Sequence, residues 1–74
     1  MNFVIEAEQE TDGRWIAEIP QIPQIPQILG AMAYGMGRQE AISRVEALAL
    51  RVLAECLEHG DRPAGIEDLF SVAV

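Results

Sequence analysis

Three carboxylates alternate near the start of the chain. Glu6, Glu8 and Glu10 are spaced two apart, so an extended strand sends all three from one face. Glu18 falls in a second extended stretch. An antiparallel register that opposes Ala7 to Ala17 sets Glu6 against Glu18, with Arg14 and Ile16 on the same face. Paired carboxylates can share a proton in acid–base chemistry or hold a divalent ion. Here they stand on an open sheet face with no pocket implied around them. The expected role of Glu6, Glu8, Glu10, Glu18, Arg14 and Ile16 is contact with a partner, and the plainer alternative is a solvated acidic face. Like charges directly opposite each other are mildly destabilising, which is a small argument for a cationic neighbour.

The other reactive types are sparse. Cys56 and His59 lie three apart and can share a helix face, but two ligands do not make a zinc site. His59 is explained by its place at a helix C-terminus, where a cation meets the negative end of the dipole. Gly35-Met36-Gly37 before a helix lacks the further glycine and following acid of a nucleotide loop. No Ser-His-Asp set occurs. The expectation is a protein that is not an enzyme and carries no cofactor and no metal.

The elements that must position these residues follow from periodicity. Residues 2–9 alternate as a strand, with Phe3, Ile5 and Ala7 opposite Val4, Glu6 and Glu8. Residues 14–19 form the second strand, with Trp15, Ala17 and Ile19 inward. A three-residue loop, Thr11-Asp12-Gly13, pairs Glu10 with Arg14, Ala7 with Ala17 and Ile5 with Ile19, and sorts every side chain; a two-residue turn would mix acids into the apolar face. Residues 29–34 read as a small-residue strand whose Ala31 and Ala33 suit close approach of a helix.

That helix is predicted over 38–59, with Gly37 at the N-cap, Glu40 in the capping-box position and Gly60 as the stop. Ile42, Val45, Leu48, Ala49, Val52, Leu53, Cys56 and Leu57 form its apolar stripe, while Arg44, Arg51, Glu55 and Glu58 lie opposite. Leu50 is off the stripe. Ile66 to Leu69 suggests one helical turn, and residues 69–74, rich in Phe70, Val72 and Val74, have strand character. The predicted fold class is α+β: an antiparallel β-β-β-α-β order with a three- or four-stranded sheet and one long helix across one face. The last strand is expected on this sheet or on a neighbour's.

Seventy-four residues make a single domain, 1–74, with formal charge −7 from twelve acids against five arginines and no lysine. Phosphate contacts need clustered cations, so direct nucleic-acid binding is not expected. A lone cysteine forms no internal disulfide and fits a reducing, cytoplasmic compartment. The start of the chain lacks a signal-peptide pattern, and no run is long enough to cross a membrane. A chain this short buries only about 60% of its unfolded surface, so self-association is expected, as a homodimer or homotetramer. Leu50, Ile22, Ile25, Ile28, Phe70 and Val72 are the candidate contacts.

The remaining feature is a repeat. Residues 20–29 contain Pro-Gln-Ile three times in succession. The period suits polyproline II, and prolines are excluded from a central strand. The stretch is read as a lengthened loop whose isoleucines lie against the fold or a second subunit. Without Gln24 to Leu29, the text runs Asp12-Gly13-Arg14-Trp15-Ile16-Ala17-Glu18-Ile19-Pro20-Gln21-Ile22-Pro23, then Gly30. With the helix opening Arg38, Glu40, Ala41, this resembles the HicB-like antitoxins: a DG-x-aromatic strand, a P-x-apolar-P-G turn, an apolar strand ending in Gly, and an R-x-E-A helix start. The resemblance implies a reduced RNase H-like domain without an active site. It also implies a function: binding and neutralising a HicA-like mRNA interferase, a small basic RNase, within a type II toxin–antitoxin system. Family members form dimers or tetramers, and longer ones append a DNA-binding domain, which is not expected within these 74 residues. The alternative is an orphan self-associating regulatory module without a toxin.

Overall fold

The structure is a computed structural model. It describes residues 2–21 and 29–73, with Gln21 and Leu29 as backbone only. Three strands, β1 (Glu6–Gln9), β2 (Trp15–Gln21) and β3 (Leu29–Gly35), form one antiparallel sheet in the order β1-β2-β3. The helix α1 (Arg38–Glu58) follows and lies mainly over β2 and β3. A short 3-10 turn, Ile66–Leu69, comes last.

The first hairpin has the register that side-chain sorting predicts. Ala7 pairs with Ala17 and Glu6 with Glu18. The Glu10 N–H donates to the Arg14 carbonyl at 2.7 Å, the Gly13 N–H donates to the Glu10 carbonyl at 3.0 Å, and Gly13 takes φ 94°. The three-residue loop is therefore the one present, with its left-handed glycine.

Two strand boundaries differ from expectation, and one residue explains both. Pro20 lies inside β2, the middle strand, where the repeat's prolines were predicted not to go. Hydrogen-bonded pairs alternate along an antiparallel ladder. Counting from Glu10–Arg14 through Glu8–Ile16 and Glu6–Glu18, the next such pair is Val4–Pro20. Proline has no N–H to give, so the β1 ladder begins at Glu6 rather than at residue 2. Beyond that point β2 has a neighbour only on the β3 side, where Pro20 does not need to donate. Phe3 and Ile5 still pack against the core from an unpaired stretch. The repeat thus contributes Pro20 and Gln21 to β2 and Leu29 to β3, rather than forming a loop over all of 20–29. Ile22, Ile25 and Ile28 lie outside the described residues.

α1 starts and stops where its cap residues indicate. Gly37 is the N-cap in extended conformation without a side-chain cap. Glu40 Oε1 accepts from the Met36 N–H at 2.9 Å, one residue earlier than in a standard capping box. At the far end Gly60 takes φ 85°, its N–H donates to the Leu57 carbonyl at 3.1 Å, and the Asp61 N–H donates to the Cys56 carbonyl at 2.8 Å. This is a Schellman closure. His59 is the C-cap rather than the last helical residue. Its Nδ1 donates to the Glu55 carbonyl at 2.8 Å, which satisfies the ring locally.

The core lies between the inner sheet face and the helix stripe. Ala17, Ile19, Ala31, Ala41, Val45, Ala49, Leu53 and Cys56 are buried together, with Trp15, Ala33, Ile42, Leu48 and Val52 partly buried around them. Alanines on both surfaces let the helix approach the strands closely, so Ile19 and Val45 are the largest fully buried side chains. Leu50 is exposed, on the rim of a hollow formed with Asn2, Phe3, Ile5, Ile19, Glu46 and Ala49.

The strand expected at 69–74 does not form on this chain's own sheet among the described residues. Leu69 ends the 3-10 turn, and residues 70–73 join no strand of this sheet. Ile66 is buried and anchors the turn, but Phe70 to Ala73 are all exposed. The sheet has three strands among the described residues.

Candidate functional site

The face of the sheet opposite α1 is the candidate site. Pleating sends alternate side chains there from each strand. The register builds two rungs across it, Glu8–Ile16–Tyr34 and Glu6–Glu18–Met32. The four predicted acids come together as expected. Glu6, Glu8, Glu10 and Glu18, with Ala7 and Ile16, line a shallow depression of about 160 Å³ on the β1 side. Glu10, Ile16 and Glu18 are half-buried, and Glu6 and Glu8 are exposed.

Arg14 is on this face but engages Asp12 and Tyr34 rather than the four acids. Its Nε pairs with Asp12 Oδ2 at 2.8 Å, its backbone N–H donates to Asp12 Oδ1 at 3.0 Å, and its guanidinium lies 4.9 Å from the Tyr34 ring centroid. Stacking of this kind suits a planar cation. The second ion pair among the described residues, Arg44–Glu40 at 3.5 Å, is on the helix. Among the described residues, then, none of the four face acids has a cation of this chain within salt-bridge distance.

The Arg14 N–H and then its side chain hold the Asp12 carboxyl below the usual carboxylate range. A lowered folded-state pKa favours the folded protein above the unfolded pKa. The expected result is a small stabilisation at neutral pH that vanishes as pH falls through the lowered value. Thermal midpoints of the wild type and Asp12→Asn, compared from neutral pH into acid, should converge at the acid end. A gap that widens in acid would reverse the sign.

The apolar half of the face was not singled out by sequence reasoning. Met32 is 50% exposed and Tyr34 is 38% exposed, on the β3 side of the acids. The signal was present: Gly30, Met32 and Tyr34 alternate with Ala31 and Ala33. Attention to the small inward residues hid the large outward ones.

The remaining candidates do not assemble. Cys56 is buried, and His59 shares a shallow cleft with it, Val52, Glu55 and Asp61. Among the described residues no three His, Cys, Asp or Glu side chains are placed to hold a metal ion, and no helix is long and apolar enough to cross a membrane. A scan against protein-family models and searches of curated proteins and of solved structures found no match for this chain.

Proposed function

We propose that this chain is a HicB-like antitoxin whose open sheet face docks onto a small basic RNase and neutralises it in the cytoplasm, without catalysis of its own. One observation carries the reading: four carboxylates gather on one face, unmatched by any cation of the described chain, beside exposed Met32 and Tyr34. Exposed aromatic and methionine side chains are enriched at protein-binding surfaces, and the one-signed charge beside Met32 and Tyr34 suits a partner of the opposite sign. The strand, turn and helix-start residues that resemble the family support the same reading. Charge of one sign steers a partner of the other, and screening at physiological salt shortens that reach to about 8 Å.

The test is to look beside the gene for a short reading frame encoding a basic protein and to co-express the two, scored by growth and by association kinetics; the lack of such a frame would favour the orphan module. The wild type should restore growth, and its association rate should fall as salt rises. Glu6→Lys with Glu8→Lys should slow association at least tenfold and weaken neutralisation, with helix content unchanged. Full neutralisation by that variant would reduce the acids to a solvated surface. A chain that binds no basic partner but self-associates would favour the orphan module.

A further inference from the structure

We propose that residues Phe70–Ala73 of one copy add as a strand to the β3 edge of a second copy. Among the described residues two features of the fold lack a partner, and they fit each other.

The first is the edge of β3. Strand edges in native proteins are guarded by charge, proline or brevity. β1 has four residues with Glu6 and Glu8 among them. β3 has seven, Leu-Gly-Ala-Met-Ala-Tyr-Gly, with no charge and no proline. The pairing parity turns the N–H and carbonyl groups of Gly30, Met32 and Tyr34 outward, away from β2. Arg44 Nη1 donates to the Tyr34 carbonyl at 2.9 Å, as that direction requires. Among the described residues nothing else meets the groups of Gly30 and Met32, which suit an incoming strand.

The second is the 70–73 segment. Phe70 is extended, at φ −136° and ψ 148°, and is 70% exposed; Val72 is 89% exposed. Alternation puts these two on one side of a strand and Ser71 and Ala73 on the other. Beside the β3 edge, under the helix, lies a hollow of about 370 Å³ lined by Ala33, Arg44, Ala47, Leu48 and Arg51. Its alanines leave room for Phe70 and Val72, while Ser71 and Ala73 would turn toward the open face.

Charge chooses between the two edges. The segment follows Glu67 and Asp68. Those acids would meet Glu6 and Glu8 at β1, but Arg44 and Arg51 at β3. Each copy both gives and receives a strand, so a two-fold axis closes the assembly as a dimer. The pairing uses the edge and leaves the acidic face free.

Light scattering on the full chain at tens of micromolar should give twice the 8.1 kDa chain mass. Phe70→Asp with Val72→Asp should weaken the dimer at least tenfold. So should Met32→Pro, which removes an outward N–H that β2 does not use, and Met32→Lys, which guards the edge by charge. Circular dichroism should show unchanged helix content in each. A monomeric wild type would overturn the proposal. A dimer that survives the Phe70/Val72 change but not the Met32 changes would overturn it in favour of β3 pairing with β3, and one that survives the Met32 changes would rule out the edge.

Discussion

Replacing Ile19 with alanine is expected to remove most of the stability of this protein. Ile19 is, with Val45, one of the largest fully buried side chains among the described residues, and Ala31 and Ala49 are its neighbours on strand and helix. Isoleucine-to-alanine changes in cores are worth about 2–5 kcal/mol, the larger values arising where the site cannot collapse. Here collapse is hindered, because Ala31 opposite it in the sheet and Ala49 beside it on the helix already bring the backbones close. The single core of so small a domain supplies roughly 3–5 kcal/mol. Thermal unfolding followed by circular dichroism should therefore show Ile19→Ala largely unfolded at room temperature, or melting far below the wild type. Val4→Ala is the control: Val4 is exposed, and a surface change of this kind moves stability by within about 0.5 kcal/mol. An Ile19→Ala melt matching that of Val4→Ala would mean that the helix does not pack where the structure sets it.

Sequence patterning made the hairpin register and the helix legible because both are local. Side-chain sorting chose the Thr11-Asp12-Gly13 loop, and the two glycines flanking the helix set its ends. The acidic face followed from the register alone, since period-two alternation turns a pairing into a surface. What escaped needed knowledge of neighbours. Pro20 was excluded from the middle strand by a rule about donors, but the rule holds only where a strand is flanked on both sides. The absence of a β1 partner opposite Pro20 is a fact about another segment. The 70–73 stretch has strand composition, yet composition cannot supply an edge to pair with, and among the described residues of a single copy it pairs with none. Met32 and Tyr34 were missed for the opposite reason: their strand was recognised, and only its inward side was followed.

At Gly35 the sheet abuts the backbone of the first helical turn, and Gly35→Ala is expected to have the second largest effect of the changes considered. A Cβ there would stand 2.6 Å from the Ala41 nitrogen and 3.1 Å from its Cα. These are backbone atoms of the first helical turn, so no rotamer change relieves the contact. Either the strand end or the helix start must shift, against the Gly37–Ala41 and Met36–Glu40 hydrogen bonds that fix that turn. Overpacking of this kind is worth about 1–3 kcal/mol, and each kcal/mol lowers the midpoint of a 60–100-residue domain by roughly 4–8 °C. Trimming the neighbour should not help: Gly35→Ala with Ala41→Gly should melt no higher than Gly35→Ala alone, because the obstructing atoms remain. Rescue by that double change would show that the Ala41 methyl, not the backbone, limits the approach. Two residues further on the outcome should change sign. A Cβ at Gly37 meets nothing within 4 Å, and the backbone there is extended at φ −129°. Gly37→Ser supplies the side-chain oxygen that the N-cap lacks and should raise stability by a few tenths of a kcal/mol. Opposite shifts at two glycines of one turn would place the constraint in the approach of strand to helix rather than in the turn itself.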